Sequence, residues 1–213
     1  MDSPELNSAA ELVAHLRAQG VSDEAVLGAF LDVPRDAFCL AEDVDYAWDD
    51  DVLPLTHDAT LSQPYVVASM LAALAVRPGD RVLDVGSGSG FTTGLLWAMG
   101  ATVDALELEP ELARRSTETL AALGVEADVR AGDGWAGWPE PQRYDGILVS
   151  AAADRVPSAL LEQLAEGGRM VLPVGPAGNQ VLQVVSSAAG EQPRDLYPVR
   201  FVPLRRGRGR PRC

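Results

Sequence analysis

Two hydrophobic periods run along this chain, and the change from one to the other divides it. Before about residue 60 the apolar positions recur at helical spacing. Leu6, Ala10, Val13 and Leu16 share a face, Ser3-Pro4-Glu5 offers an N-cap with proline at the first helical position, and Gly20 stops the helix. The pattern repeats from Ser22 to Leu31. From Arg81 onward, short apolar runs alternate with helical stretches, which predicts βαβ units around a parallel sheet. Strands are predicted at Arg81 to Val85, Thr102 to Glu107, Glu126 to Ala131, Tyr144 to Ser150 and Arg169 to Pro173. Helices are predicted between them, at Gly90 to Met99, Pro110 to Leu123 (closed by Gly124) and Pro157 to Ala165 (closed by Gly167-Gly168). Two later β-rich runs, Gln180 to Ser186 and Leu196 to Leu204, complete the sheet. The fold class is therefore α/β: a mostly parallel twisted sheet with helices on both faces, preceded by a helical segment.

Composition narrows this picture. A chain of 213 residues, 47% hydrophobic, supports one sizeable core and not two. The expected organisation is a single domain over residues 1–204, with 1–60 as a helical or lid segment and 61–204 as an α/β core. Glu42 to Asp51 holds six acidic residues in ten with Tyr46 and Trp48 interleaved, too charged for a core element; it reads as a solvated loop, or else as a lid over a site. No apolar run approaches the ~18 to 20 residues that span a bilayer, and the acidic N-terminus is unlike a signal peptide, so a cytosolic protein is expected.

The net charge of −14 opposes nucleic acid or an anionic membrane as partner. The charge is uneven, because Arg205, Arg206, Arg208, Arg210 and Arg212 crowd the last nine residues; residues 205–213 read as a disordered basic tail. Cys39, inside a Phe-Cys-Leu run, reads as a small buried apolar residue. Neither it nor Cys213 has a partner pattern for a disulfide, and no metal site is indicated.

The candidate chemistry lies at the predicted strand ends. Asp84-Val85-Gly86-Ser87-Gly88-Ser89-Gly90 leaves the first strand of the core and opens a helix, so its glycines allow a tight turn and close approach to a ligand. A dinucleotide loop needs its third glycine five residues after the first; here it comes at four, and Phe91 stands at the fifth. Asp84 would repel a pyrophosphate but suits a ligand with an ammonium group, such as S-adenosylmethionine. Glu107, twenty-one residues after Gly86, ends the next strand, where a carboxylate can accept hydrogen bonds from ribose hydroxyls. Gly132-Asp133-Gly134 closes the third strand, where a side chain can cap an adenine. An NAD-dependent oxidoreductase is opposed by the loop spacing and by the absence of a Tyr-x-x-x-Lys pair in a chain without lysine.

These residues, with Val33-Pro34-Arg35 and Phe38, Thr60-Leu61-Ser62-Gln63-Pro64, Tyr144-Asp145, Gln163-Leu164 followed by Gly167-Gly168, Leu172-Pro173-Val174-Gly175 and Phe201-Val202-Pro203-Leu204, resemble the protein-L-isoaspartate O-methyltransferases over about Asp32 to Leu204. The Thr-Leu-Ser-Gln-Pro and Pro-Val-Gly segments are specific to that family among methyltransferases; the glycine loop is shared by many. The resemblance implies a Rossmann-like S-adenosylmethionine-dependent methyltransferase fold, and esterification of the α-carboxylate of L-isoaspartyl residues in proteins and peptides. It implies that Thr60, Leu61, Ser62 and Gln63 line the site, with Ser62 as the catalytic contact to the substrate carboxylate. It also implies that Asp84, Gly86, Ser87, Gly88, Glu107, Leu108, Asp133 and Gly134 hold the cofactor. Serine just before Pro64 and the apolar run Val66 to Leu74 equally suits a helix N-cap, and both roles are compatible.

Two departures bear on this resemblance. The arginine-rich tail after Leu204 has no match, so no contact is carried over from it. Relatives that tailor an aspartate of a ribosomally made peptide usually carry an added C-terminal domain, which is not seen here. That tailoring activity and a catalytically silent binding module are the competing readings. A carboxylate, ionised far above its pKa of about 3 to 4, needs alignment more than acid or base help. His15 and His57 are therefore not required, and His57 reads as a turn residue. In the family, the ester collapses unaided to a succinimide, whose hydrolysis regenerates some normal aspartate.

Overall fold

The computed structural model describes residues 6–56, 58–188 and 191–207. Helix α1 spans Ala9–Ala18 and α2 Glu24–Asp32, followed by 3-10 turns at Arg35–Phe38 and Ala41–Tyr46. A two-residue hairpin pairs β1 (Leu53–Pro54) with β2 (Thr60–Leu61) and leads into α3 (Pro64–Leu74). Then come β3 (Arg81–Val85), α4 (Phe91–Ala98), β4 (Thr102–Glu107), α5 (Pro110–Ala122), β5 (Ala127–Ala131), β6 (Tyr144–Val149), α6 (Ser158–Glu162), β7 (Leu164–Val174), β8 (Gln180–Ser186) and β9 (Arg194–Val199).

The seven-stranded sheet runs β5-β4-β3-β6-β7-β8-β9. Its β5 to β7 portion is parallel, and β8 and β9 are added antiparallel. Strand order reverses direction between β3 and β6, so a crevice opens at the carboxyl ends there. Side-chain alternation feeds two cores. Val82, Leu148 and Val171 face the side covered by α1 to α4, while Leu83, Val85, Ile147 and Val149 face Leu160 of α6 and Trp138. Both faces are buried, which is why these strands read as continuous apolar runs.

Three expectations change. Ser3-Pro4-Glu5 lies outside the described residues. The observed cap of α1 is Ser8, whose hydroxyl accepts from Glu11 N at 3.3 Å while the Glu11 carboxylate accepts from Asn7 N at 2.8 Å, so Leu6 precedes the helix rather than sharing its face. The helix expected up to Ala165 ends at Glu162, and β7 begins at Leu164 rather than Arg169. Gly167-Gly168 is therefore an irregularity within a strand and not a helix stop. A Cβ on Gly168 would sit 2.9 to 3.0 Å from the carbonyls of Ala165, Asp145 and Tyr144. The last strand spans Arg194–Val199 rather than reaching Leu204, and the chain beyond it crosses to Ala152, which is bridged to Pro203.

The acidic segment is a solvated turn in its first half, where Glu42, Val44, Asp45 and Tyr46 are exposed, but not in its second. Ala47 is fully buried and Asp50 only 4% exposed. Its anchor is Arg35, itself 0% exposed, which donates to the carbonyls of Ala47 (2.5 Å), Asp51 (3.1 Å) and Ser62 (3.0 Å). Asp50 answers by accepting from Gln19 Nε2 (2.9 Å), Gln63 Nε2 (3.3 Å) and Tyr65 N (2.8 Å). Cys39 is buried, as its apolar neighbours predict, and burial pushes its thiol pKa up.

Candidate active site

Strand ends and their loops build the first half of the site. Beyond β3 the chain turns at Gly86 (φ +76), Gly88 (φ +57) and Gly90 (φ +93), a left-handed series that side-chain-bearing residues resist. At Gly90 a Cβ would also meet Ser116 Oγ at 2.4 Å, so glycine is needed for the loop to pack on α5. Glu107, ending β4 and 7% exposed, fixes the loop: Oε2 accepts from Gly88 N and Oε1 from Glu109 N, both at 2.9 Å. Each oxygen keeps a lone pair for another donor.

After β5, Asp133 Oδ1 accepts from Trp135 N and Oδ2 from Gly207 N, each at 2.9 Å. A Cβ on Gly134 would lie 2.4 Å from Val85 Cγ1, so this turn passes against the β3 end only as glycine. Asp84 lies under the loop and not on the cavity wall. Thr93 Oγ1 donates to its Oδ2 at 2.7 Å, and its Oδ1 has no partner among the described residues. Burial pushes its pKa up to about 7; the Thr93 hydrogen bond opposes that rise, and the Glu107 charge adds to it.

A cavity of about 260 Å³ opens on this frame, lined by Thr60, Gly86, Gly88, Glu107, Leu108 and Gly134 among others. Beside it runs a cleft of about 870 Å³ lined by Thr60, Ser62, Gln63, Tyr65, Tyr197 and Arg200 among others. The two share Thr60 and Val202, so they meet at that wall. The β1–β2 hairpin explains the division of labour in Thr60 to Gln63. Alternation turns Leu61 into the core, 4% exposed, and leaves Thr60 outward at the junction.

Ser62 is half-buried on the cleft, with its carbonyl held by Arg35. The cap position of α3 falls to Gln63, and no side chain caps that helix. The Ser62 hydroxyl makes no hydrogen bond among the described residues, so the capping role that its sequence context also allows is not what it performs. Of the remaining sequence candidates, Ser87 is buried under the loop with its hydroxyl unpartnered, and Asp133 lines a neighbouring hollow with Arg205, Arg206 and Gly207.

Several lining residues escaped the sequence reading. Ser150 and Ala151, just beyond β6, join the cavity, as do Asp58 and Ala59 of the hairpin turn. Val202, Pro203, Leu204 and Arg205 form a strap across it. Ala152 N donates to Val202 O (2.8 Å) and Leu204 N to Ala152 O (2.7 Å), which holds the strap against the sheet. Phe201-Val202-Pro203-Leu204 was visible as a motif; what its pattern lacks is any sign of where the chain leaves the sheet.

Residues 205–207, expected as the start of a disordered basic tail, have defined contacts. Arg205 pairs with Glu109 at 2.7 Å, Arg206 stacks over Trp135 at 4.4 Å, and Gly207 reaches Asp133, so in 205–207 the charges find fixed partners. Residues 208–213 and His57 lie outside the described residues. No cluster of metal-ligating side chains occurs among the described residues, and no described helix is long and apolar enough to cross a membrane.

Cavity, loop and strap share one frame, with the Glu107 carboxylate on its wall and the Asp84 carboxyl buried beneath the loop. Among known families, the one described as protein-L-isoaspartate(D-aspartate) O-methyltransferase matches residues 7–209. A protein-L-isoaspartate O-methyltransferase of Methylorubrum populi is 49% identical over 200 residues, covering 93% of this chain and 94% of its own. A second, from an Anaeromyxobacter species, is 46% identical over 96% of this chain and 86% of its own. Among solved structures, a Plasmodium falciparum protein-L-isoaspartate O-methyltransferase in complex with S-adenosyl-L-homocysteine superposes with a TM-score of 0.84 at 27% identity, covering 94% of this chain and 99% of that one.

Proposed function

Because this chain belongs to the protein-L-isoaspartate(D-aspartate) O-methyltransferase family, we propose that it transfers a methyl group from S-adenosylmethionine to the α-carboxylate of L-isoaspartyl residues in proteins and peptides, opening their repair. The observation that carries the reading is the shared wall at Thr60 and Val202, where the cavity over the glycine loop and Glu107 meets the larger cleft at Ser62. S-adenosylmethionine, when bound, supplies an electrophilic methyl group on a cationic sulfur. A carboxylate oxygen bonds to that carbon as the carbon–sulfur bond breaks, its electron pair stays on sulfur, and the products are a neutral methyl ester and S-adenosylhomocysteine.

The chain's own residues then have separable tasks. Glu107 accepts from the ribose, with Leu108 beside it. Gly86, Ser87 and Gly88 shape the backbone that approaches the ligand, while Asp133 and Gly134 border the adenine end. Asp84 acts through the loop as a buried carboxyl that ionises near pH 7 and so sets the charge beneath the cofactor. Thr60 and Gln63 frame the junction over Leu61, and Ser62 donates to the substrate carboxylate, fixing one oxygen in line. Excluding water there and holding the reacting atoms at about 3 to 3.5 Å supplies several kcal/mol of the barrier. The net charge of −14 supports a protein or peptide substrate over nucleic acid, and we place the reaction in the cytosol.

The test is transfer of labelled methyl groups to an isoaspartyl peptide and its aspartyl twin, across unrelated flanking sequences. Normal aspartate displaces its carboxylate along an unbroken backbone, and a misplacement of about 1 Å costs around 10²-fold in rate. At least that preference for the isoaspartyl peptide is expected. Equal rates on the two twins would refute the proposed substrate choice.

A further inference from the structure

The cleft beside Ser62 contains one charged side chain among its lining residues, Arg200; the others are apolar, hydroxyl-bearing or amide. Arg200 is exposed and forms no hydrogen bond or ion pair among the described residues. Arg17, Arg81, Arg114, Arg130, Arg155 and Arg205 each pair with a carboxylate, whereas the side chains of Arg77, Arg169 and Arg194 are also unpaired among the described residues but do not line the cleft. Its backbone is nevertheless fixed. Gln180, 4% exposed, accepts from Phe201 N (2.6 Å) and donates to Phe201 O (3.1 Å), clamping the residue next to it. An unpaired guanidinium thus springs from a fixed backbone at the cleft of a protein whose overall charge of −14 repels anionic peptides.

We propose that Arg200 is a specificity-determining residue: it gives the cleft a preference for substrates that carry a second carboxylate near the isoaspartyl one, from an acidic flanking side chain or from the end of the peptide. The proposal rests on the methyl-transfer reading above. The planar guanidinium matches a carboxylate bidentately. The second carboxylate is the better partner, because an ion pair to the reacting one would tie up the lone pairs that must attack the methyl carbon. Ser62, a neutral donor, orients that group with less loss of nucleophilicity. Since Arg200 is exposed, the preference is a few-fold in size and shrinks as salt screens it.

The full chain with saturating S-adenosylmethionine provides the test. Isoaspartyl peptides, amidated at the C-terminus, carry Glu or Gln in turn at the two positions on either side of the isoaspartate; the all-Gln peptide is also made as a free acid. The readout is the ratio of kcat/KM for each Glu peptide, or for the free acid, to the all-Gln amide, which does not depend on the fraction of enzyme folded. Wild type is expected to give a ratio of about 2 to 5 for at least one peptide, Arg200→Gln a ratio near 1, and Arg200→Glu a ratio below 1. Which peptide shows the ratio distinguishes a side-chain from a terminal carboxylate. Wild-type ratios near 1 throughout, or a preference that survives Arg200→Gln, overturn the proposal while leaving the methyl-transfer reading standing. Failure of wild type to methylate any of the peptides removes that reading, and this inference with it.

Discussion

The cofactor half of the site and the peptide half are built by different means. At the ends of β3, β4 and β5, each functional group sits within a few residues of a strand, and its position follows from local backbone: left-handed glycines at 86, 88 and 90, and Glu107 bonded to Gly88. The cleft is assembled from distant pieces. Arg35 joins residues 47, 51 and 62, Asp50 joins 19, 63 and 65, and residues 197–202 arrive from the end of β9 and just beyond it. Local construction leaves a trace in spacing; assembly through buried long-range hydrogen bonds does not. The two halves should therefore fail separately.

The largest effect is expected at Arg35. Replacing it with alanine leaves the buried carbonyl of Ala47 and the part-buried carbonyls of Asp51 and Ser62 without their donor, opens a cavity, and should cost on the order of 3 kcal/mol of stability. In the molecules that still fold, single-turnover methylation should fall steeply while S-adenosylhomocysteine affinity stays within about twofold, because all three hydrogen bonds of Arg35 serve the cleft half and it meets the cofactor half only by stacking over Phe91 at 5.8 Å. Melting curves, calorimetry and rapid-quench rates on the same sample separate these quantities. Equal loss of cofactor binding would erase the distinction between the halves. Next in size is Glu107→Ala, which should weaken cofactor binding by roughly 1.5 to 3 kcal/mol, as expected for lost hydrogen bonds to a charged group. Peptide KM at saturating cofactor should stay put.

Ser62→Ala sharpens the comparison from the other side. Its hydroxyl does not cap α3, so the melting temperature should barely move, with a stability change within about 0.5 kcal/mol. The methylation rate should fall about tenfold, the worth of roughly one hydrogen bond. A stability loss without a rate loss would return Ser62 to a structural role.

The smallest effect concerns Asp84. Its folded pKa is raised to about 7 from an ordinary 3.8, so the folded protein holds a proton that the unfolded chain releases. Stability attributable to this group is present below the unfolded pKa, is lost as pH rises toward about 7, and is flat above it. Affinity for the cationic cofactor should move oppositely, strengthening a few-fold between pH 6 and 8 as Asp84 ionises. Asp84→Asn should remove both slopes, which denaturant titrations and calorimetry across that range would check.

Legibility followed the same division. Strands β3 and β4 are readable to the residue because Val and Leu runs end at glycine or charge, and α5 to within one residue because proline opens it and Gly124 follows its cap. The α6–β7 boundary was misread because Leu160, Leu161 and Leu164 keep helical spacing into what becomes a strand. The acidic segment misled more, since a run of carboxylates signals solvent unless its buried partner is known, and Arg35 lies 12 and 16 residues from the carbonyls it holds at Ala47 and Asp51. The glycine loop, Glu107 and the Thr60–Gln63 segment were legible as candidates. The strap was not, because nothing in Pro203-Leu204-Arg205 announces that it leaves the sheet to cover a cavity.

The central claim is that the two halves meet at Thr60 and Val202 with Ser62 on the peptide side, and a crystal structure with S-adenosylhomocysteine and an isoaspartyl peptide bound together tests it most directly. The account predicts the ribose hydroxyls on Glu107, the sulfur at the shared wall, and the isoaspartyl α-carboxylate in the cleft within hydrogen-bonding reach of Ser62 Oγ, one oxygen facing the sulfur. A peptide seated away from that wall, or a ribose held by groups other than Glu107, would contradict it.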